Sequence, residues 1–246
     1  MSTADSTSSP EALAALPLRD NLRGLSPYGA PQLDVPVTLN TNENTHPVPD
    51  AVVRAITASV AEAAVSLNRY PDREFTELRQ RLARYLGHGL SASQLWAANG
   101  SNEILQQLLQ AFGGPGRTVM GFPPTYSMYP LLASGTDTRY LAGVRGDEFS
   151  LTAESAAAQV AEQRPDLVLL CSPNNPTGTA LGLDVVEAVY RASEAHRGMV
   201  IVDEAYAEFA LAGTRSALSL LPGRPRLVVT RTMSKAFALA GARVGY

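Results

Sequence analysis

The sequence predicts an α/β fold, a mostly parallel sheet with helices on both faces, and its apolar patterning carries that prediction. Short apolar runs such as Leu167–Cys171 are continuous rather than alternating, as expected of strands buried on both sides. These runs alternate with longer stretches of helical periodicity, which is the βαβ arrangement. Polar residues capable of chemistry gather just after the runs, where open α/β sheets place their ligands. With 246 residues, 45% of them hydrophobic and 17% charged, the chain is long enough to bury a large core.

In chain order, Met1 to Pro10 is rich in Ser and Thr and reads as a disordered tail, lacking the positive start and apolar run of a signal peptide. Asp20 to Pro49 is dense in Pro, Asn and Gly with little periodicity, so it reads as an extended arm over the surface of something else. Residues 1–49 are therefore assigned as tail and arm, and 50–246 as the ligand-binding domain. Ala51, Val52, Ala55, Ile56, Val60 and Ala63 recur at helical spacing, as do Phe75, Leu78, Leu82 and Leu86, giving two amphipathic helices. A strand Leu95–Ala98 follows, then a helix burying Ile104, Leu105, Leu108, Leu109 and Phe112, a strand Thr118–Gly121 and a helix near Tyr126–Ala133. The alternation continues with strand Thr138–Leu141, helix Ala153–Glu162, strand Leu167–Cys171, helix Leu183–His196, and strands Met199–Val202 and Leu227–Thr230. A helix-like stretch is expected from Lys235, and a strand after Arg243.

Composition excludes several classes of function. A net charge of -3 with the two signs interspersed gives no basic stripe for nucleic acid and no polybasic cluster for a membrane surface. No apolar stretch approaches the roughly 20 residues of a membrane span. Cys171 is the single cysteine, and His46, His88 and His196 lack metal-ligand spacing, so neither a disulfide nor a metal is expected and a reducing cytoplasm fits. There is no GxGxxG or GxxxxGK, which argues against dinucleotide and P-loop nucleotide sites.

The strand-end junctions are NGSNE (Asn99–Glu103), FPPTYSMY (Phe122–Tyr129), SPNNPTG (Ser172–Gly178), DEAY (Asp203–Tyr206) and the stretch from Thr232 to Tyr246. Lys235 would project its amine at a strand end within an apolar shell, where burial disfavours the ammonium form and makes a nucleophile. Taken alone, a loop lysine is a surface charge. Asp203 ends an apolar strand, where a carboxylate needs either a cation such as a protonated pyridine nitrogen or the role of helix cap or ion-pair member. Asn175 offers a neutral donor at a strand tip and Tyr206 a hydroxyl, though each also suits a turn or packing role. Gly100, Ser101 and Asn102 stand where backbone N–H groups at a helix start would take a phosphate, unless Ser101 merely caps the helix. Thr232, Ser234 and Arg243 could complete an anion site.

These motifs, with LNTNEN (Leu39–Asn44) and RYPD (Arg69–Asp72), resemble in order and spacing the fold type I pyridoxal 5'-phosphate (PLP) dependent aminotransferases, most closely the histidinol-phosphate aminotransferase subfamily. The resemblance runs from Tyr28 onward and implies roles. Lys235 would form the Schiff base and shuttle the proton, Asp203 would face the pyridine nitrogen, Asn175 and Tyr206 the phenolic oxygen, and Tyr126 the ring. Gly100, Ser101, Asn102, Thr232, Ser234 and Arg243 would hold the phosphate. Tyr70 would reach the phosphate of a second subunit, so the site is completed in a homodimer, and Tyr28 and Asn44 would meet substrate.

The implied reaction moves an amino group between glutamate and imidazole-acetol phosphate, with 2-oxoglutarate as the keto partner, in histidine biosynthesis. An aromatic aminotransferase or threonine-phosphate decarboxylase of the same fold shares the machinery, and a non-catalytic PLP-binding fragment is a further alternative. The chain departs from the family where Thr45 follows Asn42, Glu43 and Asn44 in place of proline, and in the loosely matching SPYGAP (Ser26–Pro31). It also stops at Tyr246, short of the family's C-terminal small domain, so a truncated chain of poor solubility and negligible turnover is expected.

Overall fold

The computed structural model describes residues 15–24, 29, 31 and 33–246. The tail Met1–Pro10 and the substrate candidate Tyr28 lie outside the described residues. At its centre is a parallel sheet built from β2 (Thr118–Gly121), β3 (Arg139–Ala142), β4 (Leu167–Cys171), β5 (Met199–Asp203) and β6 (Leu227–Thr230), ordered β3-β2-β4-β5-β6. All its pairings are parallel, so both faces must be covered.

Alternation along the strands sorts side chains into two cores. Val168, Leu170, Val200 and Val202 meet Ala156 and Val160 of α5 (Ala153–Gln163) and Val185, Val186 and Val189 of α6 (Leu183–Ala192). On the opposite face Leu167, Leu169, Cys171 and Ile201 meet Leu105 and Leu109 of α3 (Ser101–Phe112) and Tyr129 and Ala133 of α4 (Met128–Gly135). The layered arrangement expected from the apolar runs is the one observed.

Three local expectations are corrected. Leu95–Ala98 is not a strand of the parallel sheet: β1 is Ala98–Asn99 and pairs antiparallel with β7 (Val244–Gly245). Ala97 and Leu95 instead pack in a third cluster with Leu82 and Leu86 of α2 (Thr76–Leu86), so their apolar character serves helix packing. The chain does not form a helix from Lys235; Ala238 (φ 55°) and Arg243 (φ 53°) are left-handed, which a right-handed helix cannot absorb, and only the short 3-10 turn Ala240–Ala242 forms. The helix expected to run to His196 ends at Ala192 and is followed by a 3-10 turn, Glu194–His196, closed by left-handed Arg197.

The turn after Lys235 sends β7 back along the chain that leaves β6. Arg231 N donates to Tyr246 O at 2.7 Å, Tyr246 N to Arg231 O at 2.9 Å and Met233 N to Val244 O at 2.9 Å. Two elements stand apart from the cores. Helix α1 (Asp50–Ala64) buries none of its residues, and the arm residues 33–49 carry no strand. Thr41, Asn42 and Asn44 of the arm hydrogen-bond at the carboxyl end of the sheet of their own chain.

Candidate active site

The loops at the carboxyl ends of β4, β5 and β6 and the start of α3 surround one pocket, lined by Lys235, Asp203, Asn175, Tyr206 and Arg243 among others. Asp203 forms its floor. The last residue of β5, it is 2% exposed, and its carboxylate accepts from Tyr129 Oη at 2.9 Å, Ala205 N at 3.2 Å and Thr230 Oγ1 at 3.4 Å. Burial raises its pKa against those hydrogen bonds, and the neighbouring Glu204 raises it further. Among the described residues no cation lies within salt-bridge distance of it. Glu204 beside it pairs with Arg231 at 2.8 Å.

Lys235 stands in the irregular turn after β6. Partial burial lowers its pKa, with Glu43 opposing and Arg243 adding to the shift. Nζ donates to Thr41 O at 2.9 Å and lies 5.9 Å from the centre of the Tyr206 ring. The Tyr206 hydroxyl accepts from Asn42 Nδ2 at 3.0 Å and Asn175 Nδ2 at 3.4 Å. Asn175 is held by its neighbour: Asn174, 2% exposed, accepts from Thr125 Oγ1 at 2.9 Å and donates to Pro124 O at 3.0 Å and Thr177 Oγ1 at 2.8 Å. Those bonds clamp SPNNPTG to the FPPTYSMY loop. Tyr126 reaches across the same gap to Asn102 Oδ1 at 3.1 Å and meets Tyr129 edge-on at 5.5 Å.

The start of α3 forms one wall. Gly100, not Ser101, is the N-cap, and no side chain caps the helix. The capping role open to Ser101 is therefore not the one it takes; Glu103 Oε2 instead accepts from Asn99 N at 2.6 Å. Ser101 and Asn102 open the helix and line the pocket with Thr232 and Ser234, which are 4% and 7% exposed and linked at 2.9 Å. Arg243 Nη1 donates to Ser234 Oγ at 3.3 Å. Gly100 requires its identity twice over: its φ is +84°, and a Cβ there would fall on the Arg243 guanidinium.

Sequence reading thus located most of the pocket. Asn44 is nearby, its Nδ2 donating to Ala236 O at 3.2 Å, whereas Tyr70 is fully exposed and apart from the pocket. It missed Tyr129 and Thr230 on the Asp203 carboxylate, and Thr41 and Asn42 on Lys235 and Tyr206. Tyr129 lies three residues after Tyr126 in a motif already singled out, and Thr41 and Asn42 lie within LNTNEN, which were the available signals. Among the described residues no group of three or more His, Cys, Asp or Glu side chains is placed to hold a metal, and no helix is long and apolar enough to cross a membrane.

Residues 35–246 match the family model described as aminotransferase class I and II. The chain belongs to that family. It is 73% identical over 236 residues to a histidinol-phosphate aminotransferase of Paenarthrobacter aurescens, covering 96% of this chain and 63% of the relative. To the enzyme of the same name from Frankia casuarinae it is 64% identical, over 94% of this chain and 59% of the relative. The chain thus spans about 60% of the length of the curated relatives it matches. Among solved structures, histidinol-phosphate aminotransferase from Sinorhizobium meliloti in complex with pyridoxal-5'-phosphate superposes with a TM-score of 0.73 at 29% identity, covering 83% of this chain and 54% of that one.

The pocket fits PLP by its donor set. A buried carboxylate with no cation beside it among the described residues complements a protonated pyridine nitrogen. The uncapped N-terminus of α3, with Thr232, Ser234 and Arg243 beside it, has the donors that a phosphate needs. Lys235 supplies an amine whose ammonium form is disfavoured between them.

Proposed function

We propose that this chain carries the PLP site of a cytoplasmic histidinol-phosphate aminotransferase of histidine biosynthesis. The reaction is transfer of the amino group of glutamate to imidazole-acetol phosphate, giving 2-oxoglutarate and histidinol phosphate. The observation that carries the reading is the placing of Lys235 at the mouth of one pocket whose floor is Asp203, buried and without a cation among the described residues. The named relatives, 73% and 64% identical, support the choice of substrate over the aromatic and decarboxylase alternatives.

When bound, PLP supplies an electron sink for the pair left at the substrate's α-carbon. Asp203 holds the proton on the pyridine nitrogen, which keeps that sink effective. Asn175 and Tyr206 donate to the phenolic oxygen, and Tyr126 packs against the ring. Gly100, Ser101, Asn102, Thr232, Ser234 and Arg243 bind the phosphate through N–H groups, hydroxyls and a guanidinium. Lys235 would hold the cofactor through its amine and, when that amine is free, would act as the base that moves a proton from the substrate's α-carbon. Its lowered pKa suits a base that must be unprotonated near neutrality. Asn44 and, by the same resemblance, Tyr28 would meet substrate, and Tyr70 would serve the phosphate of the second subunit of a homodimer.

The test is an absorbance spectrum of the purified chain with added PLP, before and after borohydride reduction, beside Lys235→Ala. A visible band fixed by reduction onto a peptide containing Lys235, and absent from the variant, is expected. A band fixed equally in both proteins would sink the assignment of the lysine. Conversion of bound cofactor to its amine form by histidinol phosphate, and not by aromatic amino acids, is expected for the substrate.

A further inference from the structure

We infer that Asn42 is a positioning residue of this site, its side-chain amide holding the Tyr206 hydroxyl where that hydroxyl meets the cofactor's phenolic oxygen. The inference rests on the PLP reading above and adds a residue from the arm to it. Asn42 adopts a left-handed backbone (φ 53°), a conformation that Asn tolerates better than most residues with a side chain. The turn aims Nδ2 at Tyr206 Oη across 3.0 Å, shorter than the 3.4 Å bond from Asn175.

Two amide N–H donors, from Asn42 and Asn175, converge on the Tyr206 oxygen and fix its place in the pocket, and Asn42 makes the shorter of the two bonds. The residues on either side hold the turn in place. Thr41 O accepts from Lys235 Nζ at 2.9 Å, and Asn44 Nδ2 donates to Ala236 O at 3.2 Å. Since the arm has no strand or helix of its own here, these bonds set where Asn42 stands, and a single stretch of arm registers both the lysine and the tyrosine.

A double-mutant cycle of Asn42→Gly and Tyr206→Phe tests this, reading the dissociation constant of PLP by absorbance titration and the position of the visible band. Glycine keeps the left-handed turn and removes only the amide, so a backbone role leaves Asn42→Gly unchanged. Expected is about fivefold weaker binding by Asn42→Gly, with a shifted band, and no further weakening when it is added to Tyr206→Phe. Binding by Asn42→Gly equal to that of the unaltered chain, or equal weakening in both backgrounds, would overturn the inference alone. No PLP binding by the unaltered chain would overturn the reading of the site and this inference with it.

Discussion

Asp203 shows at the scale of a residue how a binding site costs stability. Its carboxylate is desolvated, satisfied by neutral donors from Tyr129, Ala205 and Thr230, and held above the ordinary carboxylate range by burial. A raised folded-state pKa means that the folded chain retains a proton that the unfolded chain has released. The group's contribution is therefore full below the ordinary carboxylate range and declines as pH rises through the folded-state value. Asp203→Asn keeps the shape and removes the charge. Urea unfolding of the cofactor-free protein should show that the variant is the more stable at pH 7 and that its stability changes less with pH between 4 and 7. PLP affinity should fall by about tenfold or more, since a hydrogen bond to a charged partner is lost. Lower stability of the variant at pH 7 would contradict the desolvation argument.

At the scale of elements, the site depends on how closely α3, β1 and β7 approach one another. Gly100 makes the N-cap of α3 in a conformation that side chains avoid, and Arg243 fills the space where its Cβ would stand. Gly245 of β7 lies against the backbone of Gly100 and Ser101, so the antiparallel ladder holds the helix start against the turn that bears Thr232 and Ser234. Gly100→Ala combines backbone strain with displacement of the guanidinium. It should cost about 1–3 kcal/mol in urea unfolding and weaken PLP as well. Gly100→Ala with unchanged midpoint and affinity would show that the helix start adapts freely.

For the molecule as a whole, the distribution of apolar surface is uneven. The sheet is sealed on both faces, whereas Val52, Val53, Ile56 and Val60 of α1 remain 42% to 61% exposed and Tyr70 is wholly exposed. A contiguous apolar face of this kind marks an interaction surface more often than a solvated one. The proposed homodimer needs such a face, and the paired substitution Ile56→Glu with Val60→Glu addresses it. Sedimentation should show the doubly altered protein shifted toward monomer, while its unfolding free energy, compared at a concentration where both proteins are monomeric, stays within about 0.5 kcal/mol of the unaltered chain, because no residue of α1 is fully buried within its own chain. An unchanged sedimentation profile would place the dimer contact elsewhere.

The sequence by itself determined the layered α/β architecture, because strands buried on two faces must be apolar throughout and the covering helices must carry one apolar stripe. Leu167–Cys171 and Leu227–Thr230 were legible to the residue for that reason. It also marked the junctions that bear Lys235, Asp203, Asn175 and Tyr206, since polar residues interrupting an apolar run need a reason to be there. Only the tertiary structure decided that Leu95–Ala98 packs on helix α2 rather than joining the parallel sheet, and that the chain after Lys235 turns rather than coils. An apolar run reports burial but not its partner, and left-handed Ala238 has no local signature. The same limit hid what Tyr129, Thr230, Thr41 and Asn42 bond to, although three of them lie in motifs the sequence marks. Their roles come from hydrogen bonds between groups far apart in the chain, and such bonds exist only once the fold has brought the two partners within about 3 Å.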